Sequence, residues 1–276
     1  VSRFMLSYID RKSPLHALCG TTKFVFFLLW SVLAMTTYDT RIMAVMAGIA
    51  LGLFALSRTK FVDVSFIFKL LVLFMAFNLI AIYVFSPEQG IEIYGTRHVL
   101  LSGIGRYTIT AEQLFYELNV FLKYGMVVPV AILLMVTTQP SEFAASLNRM
   151  GVHYSVAYAV SLTLRYVPDV QRDYLDISRA QQARGIELSS KVSVFKRLKG
   201  SAAILMPLVF SSLDRIDVIS HAMELRGFGK KRSRTWYSGK PFAAVDFAVL
   251  AVSLAAFAFG LWATFRDGDR FYNPFV

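Results

Sequence analysis

Five stretches of this chain are candidates to cross a bilayer, and they constrain its fold more than any other feature. They run roughly over residues 24–38 (FVFFLLWSVLAMTTY), 42–56 (IMAVMAGIALGLFAL), 66–85 (FIFKLLVLFMAFNLIAIYVF), 114–137 and 242–264. An untilted membrane helix needs about 20 apolar residues, so the first two are short. They gain length from flanking uncharged residues or thin the bilayer locally. Of the 276 residues, 56% are hydrophobic and only 17% charged, against roughly 25% charged in a soluble domain. The sequence therefore predicts an all-α, polytopic integral membrane protein. The N-terminal VSRFMLSYIDRKSPLHALCGTTK carries charges but no apolar core with a small-residue cleavage site, so the first apolar segment is expected to be a retained membrane helix.

Lysines and arginines set the orientation. The N-terminal segment holds Arg3, Arg11, Lys12 and Lys23, and the link between the second and third apolar segments holds Arg58 and Lys60; both are expected on the cytoplasmic side. The loop at 86–112 balances Arg97 and Arg106 against Glu88, Glu92 and Glu112 and is expected outside. Region 138–241 carries 16 of the 29 basic residues against 8 acids and is expected inside. The C-terminal RDGDRFYNPFV then ends outside. Three parts follow: membrane helices over 1–137, a cytoplasmic region over 138–241, and a last membrane helix and tail over 242–276. Lys69 and Asp246 each lie near the start of an apolar segment, close enough to an interface to reach water.

Region 138–241 is the informative part. From Phe195 the apolar positions are Leu198, Ala202, Leu205, Val209, Leu213, Ile216, Ile219 and Met223, in steps of three and four that trace one helical face. Lys196, Arg197, Lys199, Asp214, Arg215, Asp217 and Glu224 lie elsewhere, and Pro207 is expected to kink the helix midway. A weaker copy precedes it: Leu164, Val167, Val170, Tyr174 and Ile177 form a stripe that Pro168 is expected to interrupt. The first of these amphipathic helices ends in Ala183-Arg184-Gly185, the second in Leu225-Arg226-Gly227.

One Arg-Gly pair is ordinary. Glycine just past a helix takes the left-handed conformation that closes it, and a cation in the last turn offsets the negative helix end. Two such pairs in one loop, with Ala180, Ala183 and Ala222 keeping the helix ends slim, suggest more. A slim tip carrying a planar, permanently charged guanidinium suits a narrow groove that holds a carboxylate.

Other signals are weak. Gly48 and Gly52, with Ala44 one turn earlier, form a small-residue face that would let a second helix approach closely. His16, His98, His153 and His221 are scattered without metal spacing, and the single cysteine, Cys19, excludes an internal disulfide. A net charge of +11 is compatible with nucleic acid, but the apolar runs favour a membrane surface or an acidic partner, and no nucleic-acid partner is expected. SGKP at 238–241 lacks the upstream glycine and the hydroxyl of a phosphate loop, and no HExxH, GxSxG or paired aspartate-rich motif occurs. The chain is not expected to be an enzyme, to hydrolyse ATP or to hold a metal.

These residues resemble the transmembrane T component of energy-coupling factor (ECF) transporters, the EcfT/CbiQ-like family of prokaryotic vitamin and trace-metal importers. Ala183-Arg184-Gly185 matches the first of that family's two coupling-helix signatures. Leu225-Arg226-Gly227 departs from the second by its leucine, so arginine and glycine carry the match. TTQPSEFAASLNRMGV (137–152) resembles the block that follows the family's membrane core, and SPLHALCGTTKF resembles its N-terminal segment more loosely. The resemblance implies that Arg184 and Arg226 each dock on one of two ABC ATPase subunits. It implies a third partner too, a small substrate-binding membrane subunit, the S component. ATP and Mg²⁺ would be bound by the ATPases, this chain would need no cofactor, and the complex would sit in a prokaryotic cell membrane. The apolar stripe is too long for one helix crossing, and Leu205, Val209 and Leu213 are the expected platform for the S component. A permease of another ABC class is the nearest rival, yet the chain lacks the EAA-like cytoplasmic loop by which such permeases dock. A membrane-embedded enzyme would need clustered acids or histidines at the membrane face.

Overall fold

A computed structural model describes residues 13–101, 107–186, 193–230, 235–237, 239–266 and 270–275, without the side chains of 63 and 194–199. Arg3, Arg11, Lys12, Arg106, Glu187, Lys191, Lys231, Arg232 and Arg234 of the charge count, and the side chains of Phe195, Lys196, Arg197, Leu198 and Lys199, lie outside the described residues. In chain order the helices are α1 (Pro14–Ala17), α2 (Gly20–Thr36), α3 (Thr40–Leu56), α4 (Phe61–Phe85), α5 (Gln89–Tyr94), α6 (Ala111–Thr137), α7 (Pro140–Arg149), α8 (Tyr154–Ala183), α9 (Val194–Leu225) and α10 (Ala244–Phe265). A short antiparallel pair, β1 (Val99–Leu101) and β2 (Ile109–Thr110), precedes α6. The chain forms two compact units: 1–139 with 240–276, and 140–239.

In the first unit all five apolar segments are helical. The helical stretches Val64–Phe85, Ala111–Thr137 and Ala244–Phe265 are long and apolar enough to cross a membrane. Helices α2 and α3 have 17 residues each, a length of about 25 Å against a hydrocarbon core of about 30 Å. Their ends are set by local chemistry. Asp39 Oδ1 accepts from Arg41 N at 2.9 Å to start α3, and Thr110 Oγ1 accepts from Gln113 N at 3.3 Å to start α6.

Helix α6 is the axis of this unit. Met126 and Val130 pack with Trp30, Leu33 and Ala34 of α2 and with Met43, Met46, Ala47 and Ala50 of α3. The Trp30 indole donates to the Met126 carbonyl at 2.8 Å, which satisfies a buried N–H and fixes α2 on α6. Helix α10 approaches α2 at Gly260, where a β-carbon would stand 2.6 Å from Leu33 Cδ2. Helix α4 touches α6 through Val64, Ile132 and Val136, and its later residues, among them Phe74, Phe77 and Ile80, are exposed. Such exposure costs nothing in hydrocarbon.

One sequence expectation changes, at Pro168, and two other regions gain detail. The face formed by Ala44, Gly48 and Gly52 is exposed, and a β-carbon at either glycine would meet nothing within 4 Å. Helix α3 packs instead through Met43, Met46, Ala47 and Ala50. The loop at 86–112 holds α5 and the β1–β2 pair, which are pinned by the buried Glu112, which accepts from His98 N and from Thr96 Oγ1, and by Gln113, which accepts from Gly90 N. Against expectation Pro168 does not interrupt α8, and Pro207 lies inside α9. An internal proline deletes one backbone donor, and here the turns on either side keep the helix continuous.

Candidate functional site

The second unit begins with Pro140 at the first position of α7, where its missing N–H costs nothing. It is dominated by α8 (30 residues) and α9 (32 residues). These two run antiparallel, as three contacts show. Gln181 Nε2 donates to the Ala203 carbonyl at 3.4 Å. The Arg215 guanidinium meets Asp173 Oδ2 at 2.5 Å, with Asp169 Oδ2 at 3.9 Å. The Tyr158 and Phe228 rings lie 4.7 Å apart. From the first contact to the last the chain steps back 23 residues along α8 and forward 25 along and just past α9.

The two Arg-Gly pairs therefore stand at opposite ends of the helix pair. Residue 184 ends α8 at the level of the start of α9, whereas residue 226 ends α9 at the level of the start of α8. At 1.5 Å per residue from Tyr158 to Arg184, the separation is about 40 Å. No single groove can receive both tips.

The tips are closed in the same way. Arg184 (φ −84°, ψ 7°) and Arg226 (φ −82°, ψ 7°) are the last residues before the turn. Gly185 and Gly227 follow in the left-handed region at φ +88° and +67°. Behind the first, Gly185 N donates to Gln182 O at 3.0 Å and Ile186 N to Gln181 O at 3.1 Å; behind the second, Gly227 N donates to Glu224 O at 2.8 Å and Phe228 N to Met223 O at 2.9 Å. This is the Schellman closure, with its two crossed bonds. The glycine thus does the structural work that one Arg-Gly pair implies, and each arginine is left exposed on a defined turn. Ala183 and Gly185 are exposed beside Arg184. Leu225, beside Arg226, is 90% exposed, so the second tip presents an apolar group with its cation.

The second tip has support that the sequence reading missed. Phe228 packs on Tyr154 and Tyr158, and Trp236 joins the rings at 5.4 Å from Tyr154 while its indole donates to Asn148 Oδ1 at 3.1 Å. The signal was available, because the residue after the closing glycine of a Schellman turn is commonly an apolar anchor, and Ile186 and Phe228 hold those positions.

Among the described side chains of α9 Ile204 is the buried one, 1% exposed, and Arg215 reaches α8. Leu205, Val209 and Leu213, one turn apart from each other, are 53%, 51% and 50% exposed, and Ile216 continues the row. Each of the four keeps about half of its surface uncovered. Among the described residues no three histidine, cysteine or acidic side chains converge as metal ligands. Each histidine has a local role: His16 Nδ1 pairs with Ser13 Oγ, His98 Nδ1 donates to Glu112, His153 Nδ1 accepts from Ser155 N, and His221 Nδ1 donates to the Asp217 carbonyl.

Fold and site together define a polytopic, all-helical membrane protein with a separate unit of long amphipathic helices whose two tips carry exposed arginines. The family model described as cobalt transport protein (CbiQ) matches residues 11–237, and the chain belongs to that family. Similar proteins bear out the T-component likeness. The energy-coupling factor transporter transmembrane protein EcfT of Brevibacillus brevis is 26% identical over 268 residues, which cover 93% of this chain and 97% of the relative. The EcfT of Bacillus subtilis is 24% identical with the same coverage. That of Bacillus selenitireducens is 31% identical over 172 residues, 57% of this chain and 64% of the relative.

Proposed function

We propose that this chain is the coupling subunit of an ECF-type ABC importer. It takes up the motion of two ATPase subunits at Arg184 and Arg226 and passes it to a small substrate-binding membrane subunit, for uptake of a vitamin or trace metal. ATP and Mg²⁺ are held by the ATPases, and this chain is a mechanical part rather than an enzyme. The observation that carries the reading is the pair of identical helix closures, each with an exposed arginine, at opposite ends of antiparallel α8 and α9. Two like tips about 40 Å apart suit two like grooves on a pair of similar subunits. The exposed row at Leu205, Val209 and Leu213 supports a third, apolar contact for the substrate-binding subunit.

Each arginine is expected to meet a carboxylate inside its groove. Truncating it leaves that carboxylate buried and unpaired, a loss of about 3–5 kcal/mol. Arg184→Ala and Arg226→Ala should each reduce the ATPases recovered with the tagged chain. Lysine at either position should restore them in part, because it keeps the charge but not the planar fork. Full recovery of both ATPases by the double alanine variant would sink the reading.

A further inference from the structure

The two covalent connections between the units leave the membrane unit beside one buried polar joint. The chain departs through Thr137 at the end of α6 and returns through Lys240 just before α10. The start of α2 holds both. Lys23 Nζ donates to the Thr137 carbonyl at 2.8 Å. Cys19 N donates to Asp246 Oδ1 at 2.9 Å, and Ala243 N donates to Asp246 Oδ2 at 2.9 Å. Lys240 Nζ donates to the His16 carbonyl at 2.8 Å, and Cys19 Sγ lies 3.5 Å from the Lys240 carbonyl. The Lys23 ammonium is also an electrostatic neighbour of the Asp246 carboxylate.

Lys23, Asp246 and Thr137 are 8%, 2% and 3% exposed. Helix caps do not require this arrangement. An aspartate that only started α10 would need one bond to its own helix, yet Asp246 also binds the backbone of α2. A lysine that only marked membrane orientation would reach water, yet Lys23 is turned inward onto the end of α6. Burying a lysine and an aspartate is costly unless their bonds are made.

We propose that Lys23 and Asp246 are positioning residues of the coupling motion. They fasten α6, α10 and the α1–α2 segment into one joint, so that movement received by α8 and α9 turns the membrane helices instead of being lost in the two connections. This rests on the coupling reading above and adds the place where coupling enters the membrane unit.

The test uses the purified complex with its ATPases in lipid nanodiscs and two spin-label pairs. One pair, Gln182→Cys with His221→Cys, reports motion within the coupling unit. The other, Met35→Cys with Val84→Cys, reports motion within the membrane unit. Cys19 is 2% exposed and should not take the label. ATP with vanadate should change both distances in the otherwise unaltered chain. In Lys23→Met the first change should persist, with ATP hydrolysis within twofold, and the second should vanish. Lys23→Arg should restore it. Asp246→Asn, which keeps the shape and one acceptor oxygen, is the second variant and should behave as Lys23→Met does. A membrane-unit change that survives both variants overturns the proposal. So does one that never occurs in the unaltered chain while the coupling unit moves. Loss of assembly in both variants, without rescue by arginine, makes the residues merely structural and overturns it too. If the first pair fails to respond in the unaltered chain, the coupling reading itself has failed, which is a separate result.

Discussion

The apolar row on α9 gives the sharpest quantitative prediction. Leu205, Val209, Leu213 and Ile216 are 53%, 51%, 50% and 54% exposed. Full burial of such a side chain is worth about 1.5–3 kcal/mol, so covering the remaining half of each offers about 1 kcal/mol, and the four together about 4 kcal/mol. Val209→Glu removes one of these contributions and places a carboxylate in the centre of the row. A partner must then bury that charge unpaired, at a cost of several kcal/mol. At 1.4 kcal/mol per factor of ten, affinity should fall by at least two orders of magnitude. The free chain should tolerate the change, because an exposed position alters stability by about 0.5 kcal/mol or less. The assay is purification of the tagged complex from membranes, with each subunit quantified. The ATPases should stay at their usual ratio while the small membrane subunit is lost, and Val209→Ala should cause a smaller loss. Retention of the small subunit by Val209→Glu would refute the platform. Loss of folded protein would refute it as well, by showing that the row packs on this chain's own helices.

Other expectations follow from named geometry. With Glu92→Cys and Gln171→Cys made separately, an impermeant thiol reagent on intact cells should label only the first; the opposite pattern would reverse the orientation and remove the docking model. Gly227→Ala forces a β-carbon to φ +67°, at about 1–2 kcal/mol. It should fray the end of α9, seen as faster amide exchange over Ala222–Phe228 and weaker ATPase recovery, with Gly227→Asn milder because asparagine tolerates that region. Gly260→Ala should lower the melting temperature in detergent, since its β-carbon meets Leu33 at 2.6 Å and overpacking costs about 1–3 kcal/mol. Leu33→Ala should rescue that variant, although Leu33→Ala alone is destabilising.

The membrane helices were legible because hydropathy is a local property, and α2, α3, α4, α6 and α10 cover the five apolar segments. The helix tips were legible because only a residue that accepts positive φ closes a helix as Gly185 and Gly227 do. What stayed hidden depends on contacts distant in the chain. Lys23 and Asp246 each look like a lone charge near a helix start, where reaching water is the usual outcome, and their partners lie more than a hundred residues away. The antiparallel register of α8 and α9 shows in Gln181 with Ala203, Arg215 with Asp173 and Tyr158 with Phe228, pairs no periodicity identifies. The small-residue face of α3 shows the converse: the pattern Gly48–Gly52 permits close approach, but the larger Met43 and Met46 decide which face meets α6.

The central claim is that each tip holds one ATPase, and counting subunits tests it most directly. Native mass measurement of the complex released from detergent should show two ATPase subunits per copy of this chain. Arg184→Ala and Arg226→Ala should each shift the population toward complexes short of a full pair, and the double variant should yield the chain with none. Two ATPases retained by the double variant, or a single ATPase bound in the unaltered complex, would contradict the account.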